Sequence, residues 1–316
     1  MTAYTIVDVK PDTPEWERER RNSVGASECA AIMGMSSYGT TALDIYRSKL
    51  GIDRPFDPLL GWIGHMSEPI IEAWVHEHSG LDIQLHPGFM ARSTAWPFLH
   101  ATFDRVAHRP FTTCQFKTAH HYTGHHWNDG IPTDIRVQVQ AEMAVAGTPR
   151  ALVVVWIGGR EFRHFWEVRD EAFIRDYLVP AVEEFWFGHV RPKVEPAPMS
   201  VGDVNSLPTE PEGEIELSDE AFDVLERITV LNSDIAAQEE ERDALKVALA
   251  QYTGRASVLR HRGEKVATWR SQAGRVKFDL AAFARDHPDL HARYTTQGQP
   301  FRVLRRTKKK EGNTGQ

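Results

Sequence analysis

Seven consecutive apolar residues, Ala151 to Ile157 (A-L-V-V-V-W-I), constrain this chain more than any other stretch. A strand with one face in water alternates apolar and polar side chains, so an unbroken apolar run reads as a strand covered on both faces. Gly158-Gly159 then supplies a two-residue hairpin turn, and residues 160–168 (R-E-F-R-H-F-W-E-V) alternate as the returning partner should. Further strands are expected at 82–91, 97–104 and 111–117.

Helix signals surround these strands. Ser27 is placed to cap a helix over Glu28 to Met33 that ends at Gly34. A second helix starts at Thr40 or Thr41 and ends at Gly51, with Leu43, Tyr46 and Leu50 on one face. A third follows a Ser67 cap, with Pro69 in its first turn, Ile70, Ile71, Trp74 and Val75 as its buried stripe, and Gly80 at its end. A fourth spans about Thr133 to Ala146 before Gly147, and a fifth about Asp170 to Phe187. Residues 1–14 read as an irregular lead. The order predicts an α/β (α+β) core with a mixed sheet flanked by helices.

The division expected is a core over 1–190, a proline-rich linker over 191–214, a helical segment over 215–254 and a small basic α+β region over 255–316 with a disordered tail. The helical segment carries Leu225, Ile228, Leu231 and Ile235, then Leu245, Leu249 and Tyr252, with Gln238 and Arg242 interrupting the stripe. Packing on its own domain or on a neighbour is favoured over a long coiled coil. A hairpin over 255–271 turning at Arg262-Gly263, a short helix with Leu280 and Phe283, and a strand from Phe301 to Leu304 should follow.

Net charge is −7, which excludes a uniformly basic nucleic-acid coat. From Arg255 to Lys310, however, fifteen Lys or Arg stand against four Asp or Glu, a pattern that suits contact with a polyanion or merely a soluble tail. No apolar run reaches the ~18 residues of a membrane span. The N-terminus lacks a basic start and apolar core, and Cys29 and Cys114 make no disulfide framework, so a cytoplasmic location is expected.

The chemistry concentrates between Phe98 and Lys117. Two short strands joined near His108, Arg109 and Pro110 would bring Asp104 beside Gln115 and Lys117, and residues two apart in a strand share a face. Acidic and amide oxygens hold a hard cation, while a lysine orients water or neutralises a phosphate. That set suits a metal-dependent phosphodiesterase, and an exposed hairpin with ordinary surface charges carries the same residues. His120, His121, His125 and His126 form either a metal cluster or a loop beside the cleft; no Cys or acid at zinc-site spacing accompanies them, which favours the loop. Trp127 would stack on DNA or fill a core gap, the second being favoured.

Four short patterns occur in order: W-(x3)-R with V-G-A-S-E, G-(x2)-S-E-P, D-(x10)-Q-x-K-T-A, and I-P-(x5)-Q-x-Q-(x2)-M. Over roughly residues 15–187 the chain therefore resembles the YqaJ-like viral recombinases, relatives of the phage lambda exonuclease in the PD-(D/E)xK nuclease superfamily. The resemblance implies a restriction-endonuclease-like core and a Mg2+- or Mn2+-dependent DNA exonuclease. It would resect duplex ends 5′→3′ to leave 3′ strands for a single-strand annealing partner, in a phage or prophage setting, with ring trimers as one assembly. Asp104, Gln115, the Phe116 carbonyl and Glu68 would hold the metal, and Lys117 would serve the attacking water. Gln140, with Gln138 as the alternative, would lie near the scissile bond. Arg20 and Ser27 would grip a 5′-phosphate. Gln115 stands where the family usually has glutamate. It is then a tolerated variant, an inactivating substitution, or the mark of a DNA-end binder that no longer cuts.

Overall fold

The computed structural model describes residues 2–10, 13–52, 57–78, 84–108, 111–207, 213–298 and 302–307. The chain divides into two compact units, Met1–Ser206 and Leu207–Gln316. Among the described residues no helix is long and apolar enough to cross a membrane.

The first unit has two sheets rather than one. The smaller has the order β1-β4-β5-β2, from β1 (Tyr4–Val7), β2 (Val24–Gly25), β4 (Met90–Ser93) and β5 (Leu99–Thr102). The expected irregular lead is thus an edge strand, paired antiparallel with β4. The larger sheet has the order β3-β6-β7-β8-β9, from β3 (Leu85–Pro87), β6 (Arg105–His108), β7 (Phe111–Ala119), β8 (Arg150–Ile157) and β9 (Glu161–Val168). The strand expected over 97–104 is divided between the sheets, and Asp104 stands at the crossing.

β7 and β8 run parallel, joined through α5 (Thr133–Ala146), while β6–β7 and β8–β9 are antiparallel, so the sheet is mixed as expected. Gly158 and Gly159 both have positive φ, which the tight β8–β9 turn requires. Arg109 and Pro110 of the expected β6–β7 turn lie outside the described residues.

Both faces of the larger sheet are covered. On one, Ile135, Val139 and Met143 of α5 pack on Val153 and Val155 of β8. On the other, Ile71 and Val75 of α4 (Pro58–His78) meet Phe116, Leu152 and Val154. This explains why β8 is apolar throughout. The opposite side of α5 buries Val137, Ala141 and Val145 in a cluster that includes β4 and β5 residues. Thus α5 is sandwiched, and its glutamines and Glu142 are buried with it.

Several helix expectations need correction. α4 begins at Pro58, almost three turns early. Ser67 lies inside it, bonding back to the Ile63 carbonyl rather than capping, and Pro69 is also internal. Ile70 faces water, and Gly80 lies outside the described residues. The segment after Gly25 opens with a 3-10 turn, Ala26–Glu28, before α2 (Cys29–Ile32). Glu28, not Ser27, closes it by accepting from the Gly25 N–H at 2.7 Å. α3 (Ala42–Lys49) is capped by Thr41 and Asp44, and Leu50 just beyond it is exposed. α1 (Pro14–Arg21) carries Trp16 and Arg20. The last helical run of the core mixes α and π turns over 171–190, including α6 (Glu171–Phe173) and α7 (Val179–Glu184).

The proline-rich stretch is not linker throughout. It contains α8 (Val201–Ser206), where Asp203 is buried and accepts from Thr41 Oγ1 at 2.9 Å, so this part belongs to the first unit. Pro208 and Pro211 lie outside the described residues. The second unit holds α9 (Asp219–Thr253), the hairpin β10 (Val258–His261) and β11 (Glu264–Thr268), and α10 (Leu280–Asp286) and α11 (Pro288–Tyr294). Residues 302–304 form no strand, while Phe301 and Lys308 to Lys310 lie outside the described residues.

Candidate active site

Strand periodicity places Gln115 and Lys117 on one face of β7, and the β6–β7 register, with Arg105 opposite Cys114, places Asp104 next to Gln115. Asp104 Oδ2 accepts from Gln115 Nε2 at 2.5 Å and from the Phe116 backbone N–H at 2.7 Å. Gln115 Nε2 also reaches the Phe116 carbonyl at 3.3 Å. The sandwiched α5 adds Gln138. Its Oε1 accepts from Lys117 Nζ at 3.0 Å, and its Nε2 donates to Gln115 Oε1 at 2.9 Å and to Glu142 Oε1 at 2.8 Å. One connected network therefore joins Asp104, Gln115, Gln138, Lys117 and Glu142.

Gln140 is not part of it. Two residues along a helix is about 200°, so Gln138 and Gln140 point in nearly opposite directions. Gln140 donates to Glu167 Oε1 and the Val168 carbonyl and accepts from Asp170 N–H, tying β9 to the start of α6. Glu142 was not singled out in the sequence. The available signal was its spacing, one turn after Gln138 and on the same side.

Charge in the network is unbalanced. Burial pushes the Asp104 carboxyl up to about 6 against the pull of Lys117 and the Phe116 N–H. Burial, then the neighbouring Asp104 charge, raises Glu142 to about 8. Two buried carboxyls thus face a single ammonium.

Glu68 reaches the same cleft from α4, where it lines a hollow of about 240 Å³ with Gly64, His65, Asp104, Gln115 and Lys117. It is already paired, since Arg105 Nη1 sits 2.8 Å from Glu68 Oε2 and Arg105 Nε 2.9 Å from Glu72 Oε2. On the other side of the network lies a second hollow of about 210 Å³, walled by Trp16, Arg20, Ser27, Asp104, Lys117 and Glu142. The Arg20 guanidinium stacks over the Trp16 ring at 4.6 Å, and the buried Trp16 Nε1–H has no acceptor among the described residues. Lys49 supports this wall from below. Its Nζ contacts Glu28 Oε2 at 2.6 Å and the Arg20 carbonyl at 2.7 Å.

Among the described residues the four histidines form no metal cluster. His120 and His126 line a third hollow of about 420 Å³ that also touches Lys117. Trp127 is buried against Phe165, a core role. Among the described residues no three His, Cys, Asp or Glu side chains gather closely enough to bind a metal by themselves. Asp104, the Phe116 carbonyl and Glu68 offer oxygens, which fit a hard divalent cation in type. Gln115, by contrast, turns its Nε2 donor toward Asp104 and the Phe116 carbonyl and its Oε1 toward Gln138, so its amide would have to rotate to serve as a ligand. Two carboxyls held toward their neutral forms by burial fit the cation electrostatically, since a cation beside them would favour their ionisation.

Residues 15–149 match the family model of the YqaJ-like viral recombinase domain. The matched segment contains every residue of the network described above. Over 177 residues the chain is 28% identical to the protein YqaJ of Bacillus subtilis (strain 168), covering 54% of this chain and 54% of that relative, so the match spans about half of each. An alkaline exonuclease from Laribacter hongkongensis is similar in structure, with 18% identity, 58% of this chain and 95% of that chain covered and a TM-score of 0.48. A phage related exonuclease from Haemophilus somnus is similar at 13% identity, 52% and 93% coverage and a TM-score of 0.42.

Proposed function

We propose that this YqaJ-like domain is a divalent-metal-dependent deoxyribonuclease that resects linear duplex DNA from its 5′ ends, leaving 3′ strands for an annealing partner. The observation that carries this reading is the convergence of Asp104, Gln115, the Phe116 carbonyl and Lys117 on one face at the junction of two sheets. Asp104, Gln115, the Phe116 carbonyl and Glu68 would hold Mg2+ or Mn2+, which when bound polarises a phosphate and acidifies a water.

The protein's own groups do the rest. Gln138 holds the Lys117 ammonium toward the acidic pair, where it offsets charge on the phosphate and orients water. Arg20, the Trp16 N–H and the Ser27 hydroxyl would take a terminal phosphate, with the guanidinium binding two oxygens at once. The basic stretch after Arg255 would meet the DNA backbone, so binding should weaken steeply with salt.

The test is digestion of linear duplex, 5′-phosphorylated or not, in Mg2+, Mn2+ or EDTA, beside Lys117→Ala. Metal-dependent release of nucleotides that Lys117→Ala abolishes is expected. No release under any condition, with Gln115→Glu equally inert, would sink the enzyme reading. A second reading, a DNA-end binder that does not cut, is favoured by two observations: Gln115 brings no charge, and Glu68 is already paired with Arg105. It requires salt-sensitive end binding that Lys117→Ala leaves intact.

A further inference from the structure

α9 is 35 residues long, and none of its side chains is buried. The described residues of its own unit therefore do not bury it. Of the ten large apolar residues it leaves in water, six fall on one line, and Phe222, Val224, Val230 and Val247 lie off it. From Ile228 the positions at alternating steps of three and four read Ile, Leu, Ile, Gln, Arg, Leu, Leu, Tyr, ending at Tyr252. That spacing is the seam of a coiled coil. Exposure along it runs from 38% at Ile228 to 87% at Tyr252. Among the described residues Arg306 contacts Phe222 and Glu226 of this helix, on a different face.

We propose that α9 pairs with α9 of a second copy of this chain as an antiparallel coiled coil centred on Glu240. The pattern itself selects the partner and the direction. Apolar and polar positions are symmetric about residue 240. Antiparallel pairing there sets Ile235 against Leu245, Leu231 against Leu249 and Ile228 against Tyr252 of the other copy. The two polar positions then meet each other, with the Gln238 carbonyl facing the Arg242 guanidinium.

No neighbouring arrangement does this. A shift of one heptad sets Arg242 against Leu231 or Leu245. A parallel pair stacks Arg242 on Arg242. A buried polar layer that is satisfied in one register and unpaired in the others fixes that register. Glu239 and Glu241 of both copies flank the centre, and the two arginines lie among them. Overlap from Ile228 to Tyr252 gives a seam of about 40 Å at 1.5 Å per residue.

The test uses the full chain and is independent of any nuclease activity. Leu231→Glu with Leu249→Glu should halve the mass measured by light scattering at micromolar concentration, whatever the assembly of the native chain. A native chain with the mass of one copy, or an unchanged mass in the double variant, overturns the proposal. If that variant fails to fold, cysteine pairing decides, since Cys29 and Cys114 are buried. Under oxidation a mixture of Ile235→Cys and Leu245→Cys chains should give a covalent dimer holding one of each, and neither alone should. A disulfide formed by either variant alone means parallel helices, and none in the mixture means no such seam; both overturn it.

Discussion

The Lys117 ammonium donates to Gln138 Oε1 at 3.0 Å, a contact from β7 to α5 that joins the cleft lysine to the acidic pair. Because the same amide also bonds Gln115 and Glu142, Gln138→Leu should release all three at once. Buried groups left without partners cost about 1–3 kcal/mol. We expect a fall of that size in unfolding free energy together with at least a tenfold fall in nucleotide release. Gln140→Leu should lower stability and leave release rates nearly unchanged. Denaturant titration and initial-rate assays on both variants check this.

Gln115→Glu should act in opposite directions with and without metal. Without it, the Asp104 oxygen loses its Gln115 donor and gains a like charge, at a cost of about 1–3 kcal/mol. With Mn2+, the added charge should tighten binding and recover the loss. Thermal melts with and without Mn2+, and calorimetric titration of the ion, give the readout. A variant whose Tm is indifferent to Mn2+ contradicts it.

Lys49 and Glu28 form an ion pair whose side chains are 1% and 9% exposed, and Lys49 also holds the Arg20 carbonyl. Breaking a buried pair from one side strands the other charge, at about 3–5 kcal/mol. Lys49→Met should cost that much and weaken binding of 5′-phosphorylated ends through Arg20. Adding Glu28→Gln should restore most of the stability and less of the binding. Chemical denaturation and end-binding assays separate the two effects.

His100 is buried against Ser23 Oγ at 2.8 Å. Burial, and then the positive charges of Lys49, Arg20 and Arg92, hold its imidazole well below the usual range of about 6.5. It stays neutral in the fold, while the unfolded chain takes up the proton first. Its contribution to stability is complete above about pH 6.5 and is lost as pH falls below that, at up to ~1.4 kcal/mol per pH unit. Asp104 and Glu142, both raised, contribute an opposite slope to native and variant alike. The readout is therefore the difference in unfolding free energy between the native chain and His100→Gln, which should change by this slope between pH 7.5 and 5.

Much of the core was legible because it depends on local pattern. The apolar run at 151–157, the Gly158-Gly159 turn and the helix ending at Gly147 all appear where patterning puts them. A period of two was enough to align Gln115 with Lys117. Other expectations failed where local signals compete. Ser67 and Pro69 make a credible helix start, yet the apolar turns before them are helical too, and no residue between Pro58 and Ser67 stops the helix.

By itself, then, the sequence determined which strand is covered on both faces and which side chains of β7 point together, because alternation along one strand is a property of that strand alone. Only the tertiary structure decided that Gln138 rather than Gln140 joins Lys117, that Glu142 completes the group, and that Glu68 arrives already paired with Arg105. The physical reason is that α5 is buried between two sheets. A helix covered all round has no polar face to mark its direction, so only the packed neighbours settle which side faces which sheet.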